Sequence, residues 1–247
     1  MTSNWAPASS GRTKGPRLAM TFAAALVLWL AAGRQIDARY DAGARSDDDD
    51  LRAYAVHINR TPAQSWPGYG MYLGNGLFLT AAHVPGKFAD TKPRVTVDGR
   101  DYPTSLVKEG SLDSTDLTLL SVDPNALPVR MRMRRLPLCE KAPFAGEAVV
   151  VVTPEKAARS RVLPPSAVPQ DLRGRFDTVI GDVATTGNSG SGVLDARSVC
   201  LLGVISRKIT VGQLGARLGA PAQTKDIAKY FVPVGDIRAF IPTSVSF

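Results

Sequence analysis

A serine hydroxyl attacks a carbonyl only when a neighbouring base takes its proton. Three short segments of this 247-residue chain carry the residue types that such chemistry needs. His83 lies near the end of the apolar run LFLTAAHV. Asp116 stands directly before the apolar run LTLLSV. Ser189 sits in TTGNSGSGVL, with Gly187, Gly190 and Gly192 around it. Histidine is the base whose protonation range suits neutral pH. A carboxylate can fix the imidazole tautomer and stabilise the imidazolium formed during attack. Glycines supply the unusual backbone angles that point two N–H groups at one spot, where an oxyanion would sit. By composition alone the same stretch reads as a flexible linker. Asp113 competes with Asp116 and Ser191 with Ser189, but their flanks fit less well. His57 alternates within AYAVHINR and reads as structural.

Such residues need a scaffold to meet. From about Ala53 the chain consists of short apolar runs separated by Gly, Pro and Asp. AYAVHI, YGMYLGNGLFLTAAHV, RVTV, LTLLSV, AVVVVT, GSGVL and CLLGVIS read as strands. Asn75-Gly76 between MYL and LFLT is a strong hairpin signal. The tail DIAKYFVPVGDIRAFI predicts one short helix or a last strand. Long amphipathic helical periods are scarce. The pattern predicts an all-β sandwich or barrel.

TAAH, residues 80–83, matches the histidine motif of the chymotrypsin-like (trypsin-fold) serine peptidases residue for residue. DLTLL at 116–120 is similar to their aspartate motif, and GNSGSG at 187–192 resembles the serine motif in its bacterial GNSG form. The order His, Asp, Ser is also that family's order. The resemblance covers roughly residues 53–247. It implies two six-stranded antiparallel β-barrels, the first at 53–135 and the second at 136–247, with an active site between them. It implies His83 as general base, Asp116 as its orienting carboxylate and Ser189 as nucleophile. The N–H groups of Gly187 and Ser189 would form the oxyanion hole. GVIS, residues 203–206, looks like the strand that pairs with substrate backbone, which makes Ser206 a substrate-binding candidate. The expected activity is an endopeptidase acting on protein or peptide, without metal or cofactor.

The departures matter. Asn188 stands where animal digestive members carry an aspartate that pairs with a freed N-terminal amine, so activation by that ion pair is not expected. Gly192 replaces the usual proline. Val183, at the position that often sets the pocket floor, is not an acid, and a buried cationic substrate group would lack a partner there. Thr185-Thr186 resembles glutamate-specific bacterial members. Their histidine in the GVIS strand is absent, and Ser206-Arg207-Lys208 stands instead. Lys208 could favour an acidic substrate side chain.

The remaining features concern location and partners. Leu18–Ala32 is an uncharged apolar run preceded by Arg12, Lys14 and Arg17. Residues 1–33 thus read as a secretory signal. As a helix the run would reach roughly 22 Å, short of a hydrocarbon core of about 30 Å. A cleaved signal and an uncleaved anchor, with membrane association through residues 18–33, both stay open. Either places the rest outside the cytoplasm, periplasmic or secreted. Residues 34–52, with Asp47–Asp50, read as an acidic linker. Export permits a disulfide between the two cysteines, Cys139 and Cys200, provided the fold makes them neighbours. Four cysteine and histidine residues could hold a metal by count, but their spacing argues against it. The net charge is +8. RMRMRR, residues 130–135, would put Arg130, Arg132 and Arg134 on one face of a strand, near the connection between barrels. Without aromatic interleaving, nucleic-acid binding is not expected. A catalytically silent or latent binding module of the same fold, held at the membrane surface, is the alternative to the enzyme.

Overall fold

The computed structural model describes residues 50–60, 68–183, 187–213 and 223–247. The apolar segment 18–32, Asp47–Asp49, Thr185 and Thr186 lie outside these residues. Among the described residues, no helix is long and apolar enough to cross a membrane. Asp47–Phe247 forms one compact unit.

The first half folds as strands β1 (Ala55–Asn59), β2 (Gly68–Gly74), β3 (Leu77–Thr80), β4 (Arg94–Val97), β5 (Arg100–Pro103), β6 (Ser105–Glu109) and β7 (Thr118–Ser121). They form one sheet in the order β5-β4-β1-β2-β3-β7-β6. Its two edge strands, β5 and β6, are separated in sequence by Thr104 alone. One bent segment therefore pairs with β4 at one end and with β7 at the other. That curls the sheet toward a barrel, with seven strands where the resemblance implied six. The second half contributes β8 (Ala148–Val152), β9 (Ala157–Leu163), β10 (Val179–Ile180), β11 (Gly192–Asp195), β12 (Leu201–Gln213) and β13 (Gln223–Pro233). These close as a six-stranded barrel, in the order β10-β13-β12-β11-β8-β9.

Local chemistry explains the strands. Val149 to Val152 are β-branched and buried, as β8 is covered on both faces. Asn75 and Gly76 both have positive φ, 47° and 77°, as a two-residue hairpin turn requires. The tail of the chain is both of the expected elements in succession, β13 followed by a helix at Val234–Phe240. Pro233 has no N–H to continue the ladder, and it stands at the helix N-cap.

The arginine cluster departs from its expected strand. Val129–Arg132 is a single helical turn capped by Pro128, with Met131 buried in the first barrel's core. Apolar Met131 must point inward, which overrides the alternation and sends the arginines in different directions. Arg130 pairs with Asp98, Arg134 covers the Tyr54 ring, and Arg135 donates to Asn75.

Among the described residues, one apolar cluster joins the two halves. Met71, Leu79, Leu117 and Leu119 of the first pack with Val150, Val152, Leu194, Val204 and Val232 of the second. Cys139 and Cys200 form a disulfide, which ties the connection between barrels to the start of β12. Leu138 pairs with Leu201 beside it.

Candidate active site

The hairpin β2–β3 delivers His83 two residues beyond Ala81, where the chain leaves the sheet in a turn. Thr80 pairs with Thr118, so the end of β3 lies against the start of β7, which Asp116 precedes. The two side chains meet as a result. Asp116 Oδ2 lies 2.9 Å and Oδ1 3.1 Å from His83 Nδ1. The His83 backbone N–H also donates to Oδ1, at 3.2 Å. Asp116 is 3% exposed, whereas the competing Asp113 is on the surface. Burial alone would raise the Asp116 pKa. Hydrogen bonds from His83 and Ser206 outweigh it and hold the carboxyl below its ordinary value.

Ser206 comes from the other barrel. It is fully buried on β12, and its hydroxyl donates to Asp116 Oδ2 at 2.5 Å. Ser189 Oγ in turn donates to the Ser206 carbonyl at 2.9 Å. Among the described residues it makes no hydrogen bond to His83. The structure thus brings His83, Asp116, Ser189 and Ser206 into one network, with the serine hydroxyl parked on a backbone acceptor.

The serine turn is shaped by steric exclusion. Gly190 has φ +89°, and a Cβ there would lie 1.8 Å from the Tyr69 carbonyl oxygen. The Tyr69 N–H donates to the Ser189 carbonyl at 3.1 Å, and Gly190 N–H to that of Ile205 at 2.8 Å. Gly187, at φ +46°, would collide with Ser191 Oγ if it carried a Cβ. Ser191 is no rival nucleophile: buried, its hydroxyl donates to the Asn188 carbonyl at 2.6 Å and accepts from Asn188 N–H at 3.1 Å. Among the described residues, the Ser189 N–H has no intramolecular acceptor, which leaves it available to a ligand.

The remaining candidates are spread around this turn. Val183 is half-buried. Lys208 is on the surface of β12, with Nζ 2.7 Å from Asp226 Oδ2, so its charge already has a carboxylate partner. His57 is apart from the network: its Nε2 lies 2.5 Å from Glu155 Oε1, across the two barrels. Lys229 escaped the sequence reading. It is 3% exposed on β13, and its ammonium donates to the Gly187 carbonyl. The signal was present, since a lysine stands in phase with buried Phe231 in the apolar stretch AKYFV.

No family model matches the chain, and no curated protein matches it in sequence. Solved structures do match. Kallikrein-related peptidase 10 superposes with a TM-score of 0.55 at 18% identity, over 76% of this chain and 92% of the peptidase. The Rv3671c protease from M. tuberculosis, in its active form, gives a TM-score of 0.52 at 15% identity, over 77% and 80%. A serine endoprotease from Yersinia pestis gives 0.51 at 19% identity, over 76% of this chain and 61% of its own length. The fold is that of the trypsin-like serine proteases. In this trypsin-like fold the hydrogen-bonded network lies where the two barrels meet, with His83 and Asp116 from the first and Ser189 and Ser206 from the second.

Proposed function

We propose that the chain is an exported serine endopeptidase that cleaves peptide bonds through an acyl-enzyme. The observation that carries this reading is the hydrogen-bonded chain from His83 through Asp116 and Ser206 to Ser189. His83 is held by the carboxylate at Nδ1, so Nε2 is the nitrogen left to act as base. Substrate backbone lying along β12 would present an N–H to the Ser206 carbonyl. That acceptor would then be taken from Ser189, whose hydroxyl turns to His83. Ser189 Oγ attacks the scissile carbonyl carbon while His83 takes its proton. The oxyanion is stabilised by the N–H groups of Gly187 and Ser189. The C–N bond then breaks as His83 returns the proton to the leaving amine. Water repeats both steps and releases the acid. The disulfide supports export, because cytosolic thiols are kept reduced.

A second reading rests on the same serine. Its hydroxyl occupies the Ser206 carbonyl rather than facing His83, as in a latent or silent module. A fluorophosphonate probe applied to the full-length chain separates the two. Wild type is expected to be labelled and Ser189→Ala not. Equal labelling of the variant would sink the nucleophile assignment, and an unlabelled wild type would favour the latent module.

A further inference from the structure

A lysine buried within a barrel is costly, because an ammonium loses its hydration there. Lys229 is nevertheless 3% exposed. It projects from β13, where its backbone pairs with Ile180 of β10 and Lys208 of β12. Its ammonium donates to the carbonyl of Gly187. The N–H of the same peptide unit, that of Asn188, is held by Ser191 Oγ at 3.1 Å. Both polar ends of the Gly187–Asn188 peptide are therefore fixed, one by a cation and one by a hydroxyl. Gly187 N–H lies immediately before this unit and Ser189 N–H immediately after it. A displacement of this rigid unit would shift the Cα atoms of Gly187 and Asn188 and carry the adjoining donors with them. Asn188, a neutral amide, offers no carboxylate through which an ion pair could brace the turn.

We propose that Lys229 is the positioning residue of the oxyanion turn, an internal cation that holds the Gly187–Asn188 peptide so that both flanking N–H groups point into the cleft. Its effect on rate rests on the serine-peptidase reading; its hold on the turn does not. Among the described residues, the charged groups that act on the ammonium include Lys156 from the β8–β9 turn, Lys208 on β12 and Asp226 on β13. Burial, then the two lysines, lower the Lys229 pKa to about 8, with Asp226 opposing them. Loss of the proton removes the charge assistance from the Gly187 hydrogen bond. The turn should consequently loosen as the pH rises through about 8.

The test uses the full-length chain, isotope-labelled, with the Gly187 carbonyl carbon and Asn188 amide nitrogen followed by NMR. In wild type both signals should titrate with a midpoint near 8. In Lys229→Met, shown to be folded by its thermal melt, neither should. On a peptide substrate, Lys229→Met should lose about tenfold to a hundredfold in kcat, with KM within about threefold. The alkaline fall in kcat seen in wild type should be absent from that variant. If Lys229→Met does not fold, Lys229→Arg keeps a charge at every pH used and should show no titration at Gly187 and no alkaline fall. A wild-type Gly187 signal that ignores this pH range would overturn the proposal, as would wild-type kcat and pH profile in Lys229→Met. A wild type that neither hydrolyses nor labels would instead sink the peptidase reading, while the NMR titration still decides the hold on the turn.

Discussion

At the scale of single residues, Asp116 sits where burial opposes its charge and where donors keep it charged. Desolvation pushes its pKa up, and donors from His83 and Ser206 push it down by more. A carboxyl whose folded pKa lies below its unfolded value of about 3.9 adds stability above that pH. The contribution is lost as pH falls through the lower folded value. Asp116→Asn has no such dependence. The difference in melting temperature between wild type and Asp116→Asn should therefore shrink below about pH 4, as thermal melts across pH 2 to 6 would reveal. At neutral pH the same variant should lose about a thousandfold to ten-thousandfold in kcat, since the imidazole would take the wrong tautomer. A variant with near-wild-type kcat would remove Asp116 from the orienting role.

At the scale of elements, the serine turn is set by what surrounds it as much as by its own sequence. Tyr69 of β2 accepts from Thr80 Oγ1 at 2.5 Å and donates to the Ser189 carbonyl. One backbone residue of the first barrel thus braces both the strand that leads to His83 and the turn that carries Ser189. Gly190 is the element's most constrained position, because both its φ and the Tyr69 carbonyl forbid a side chain. Gly190→Ala should push the turn off Tyr69 and cut probe labelling at Ser189 by at least about tenfold. Circular dichroism should still report a β-rich protein. Labelling at the wild-type rate would show that the turn tolerates the displacement.

At the scale of the whole molecule, the site comes together because the two halves share one apolar seam. Leu79 and Leu117, on the strands and approaches that lead to His83 and Asp116, pack with Val204 just before Ser206. Polar ties cross the same boundary. Arg52 Nη2 donates to the Pro154 carbonyl at 2.9 Å, and Arg207 Nη2 to that of Leu112 at 3.0 Å. The disulfide spans 61 residues and encloses most of the second barrel's strands up to β12. Closing a loop of that size is worth about 4 kcal/mol by the chain-entropy account. Reduction, or Cys139→Ser with Cys200→Ser, should lower the melting temperature by roughly 10 °C. An unchanged melt would mean that the shared seam holds the second barrel without help.

Periodicity and turn chemistry made eight strands and the Asn75-Gly76 hairpin legible from sequence, because alternation and positive-φ residues are local properties. β5, β6, β9 and β10 were not legible. Their residues are polar or short in span, and only pairing with neighbours makes them strands. The residues His83, Asp116 and Ser189 could be nominated by motif, since the chemistry demands those types in that setting. What motif could not supply was their state. The Ser206 hydroxyl on Asp116, the Ser189 hydroxyl on the Ser206 carbonyl and the Lys229 ammonium on Gly187 join residues that are 90, 17 and 42 positions apart. Contacts at such separations are set by barrel closure and burial, not by local sequence. The sequence by itself determined which groups could do chemistry here. The tertiary structure decided which acceptor the serine holds at rest and which cation reaches its turn, because those contacts depend on what the two packed sheets press together.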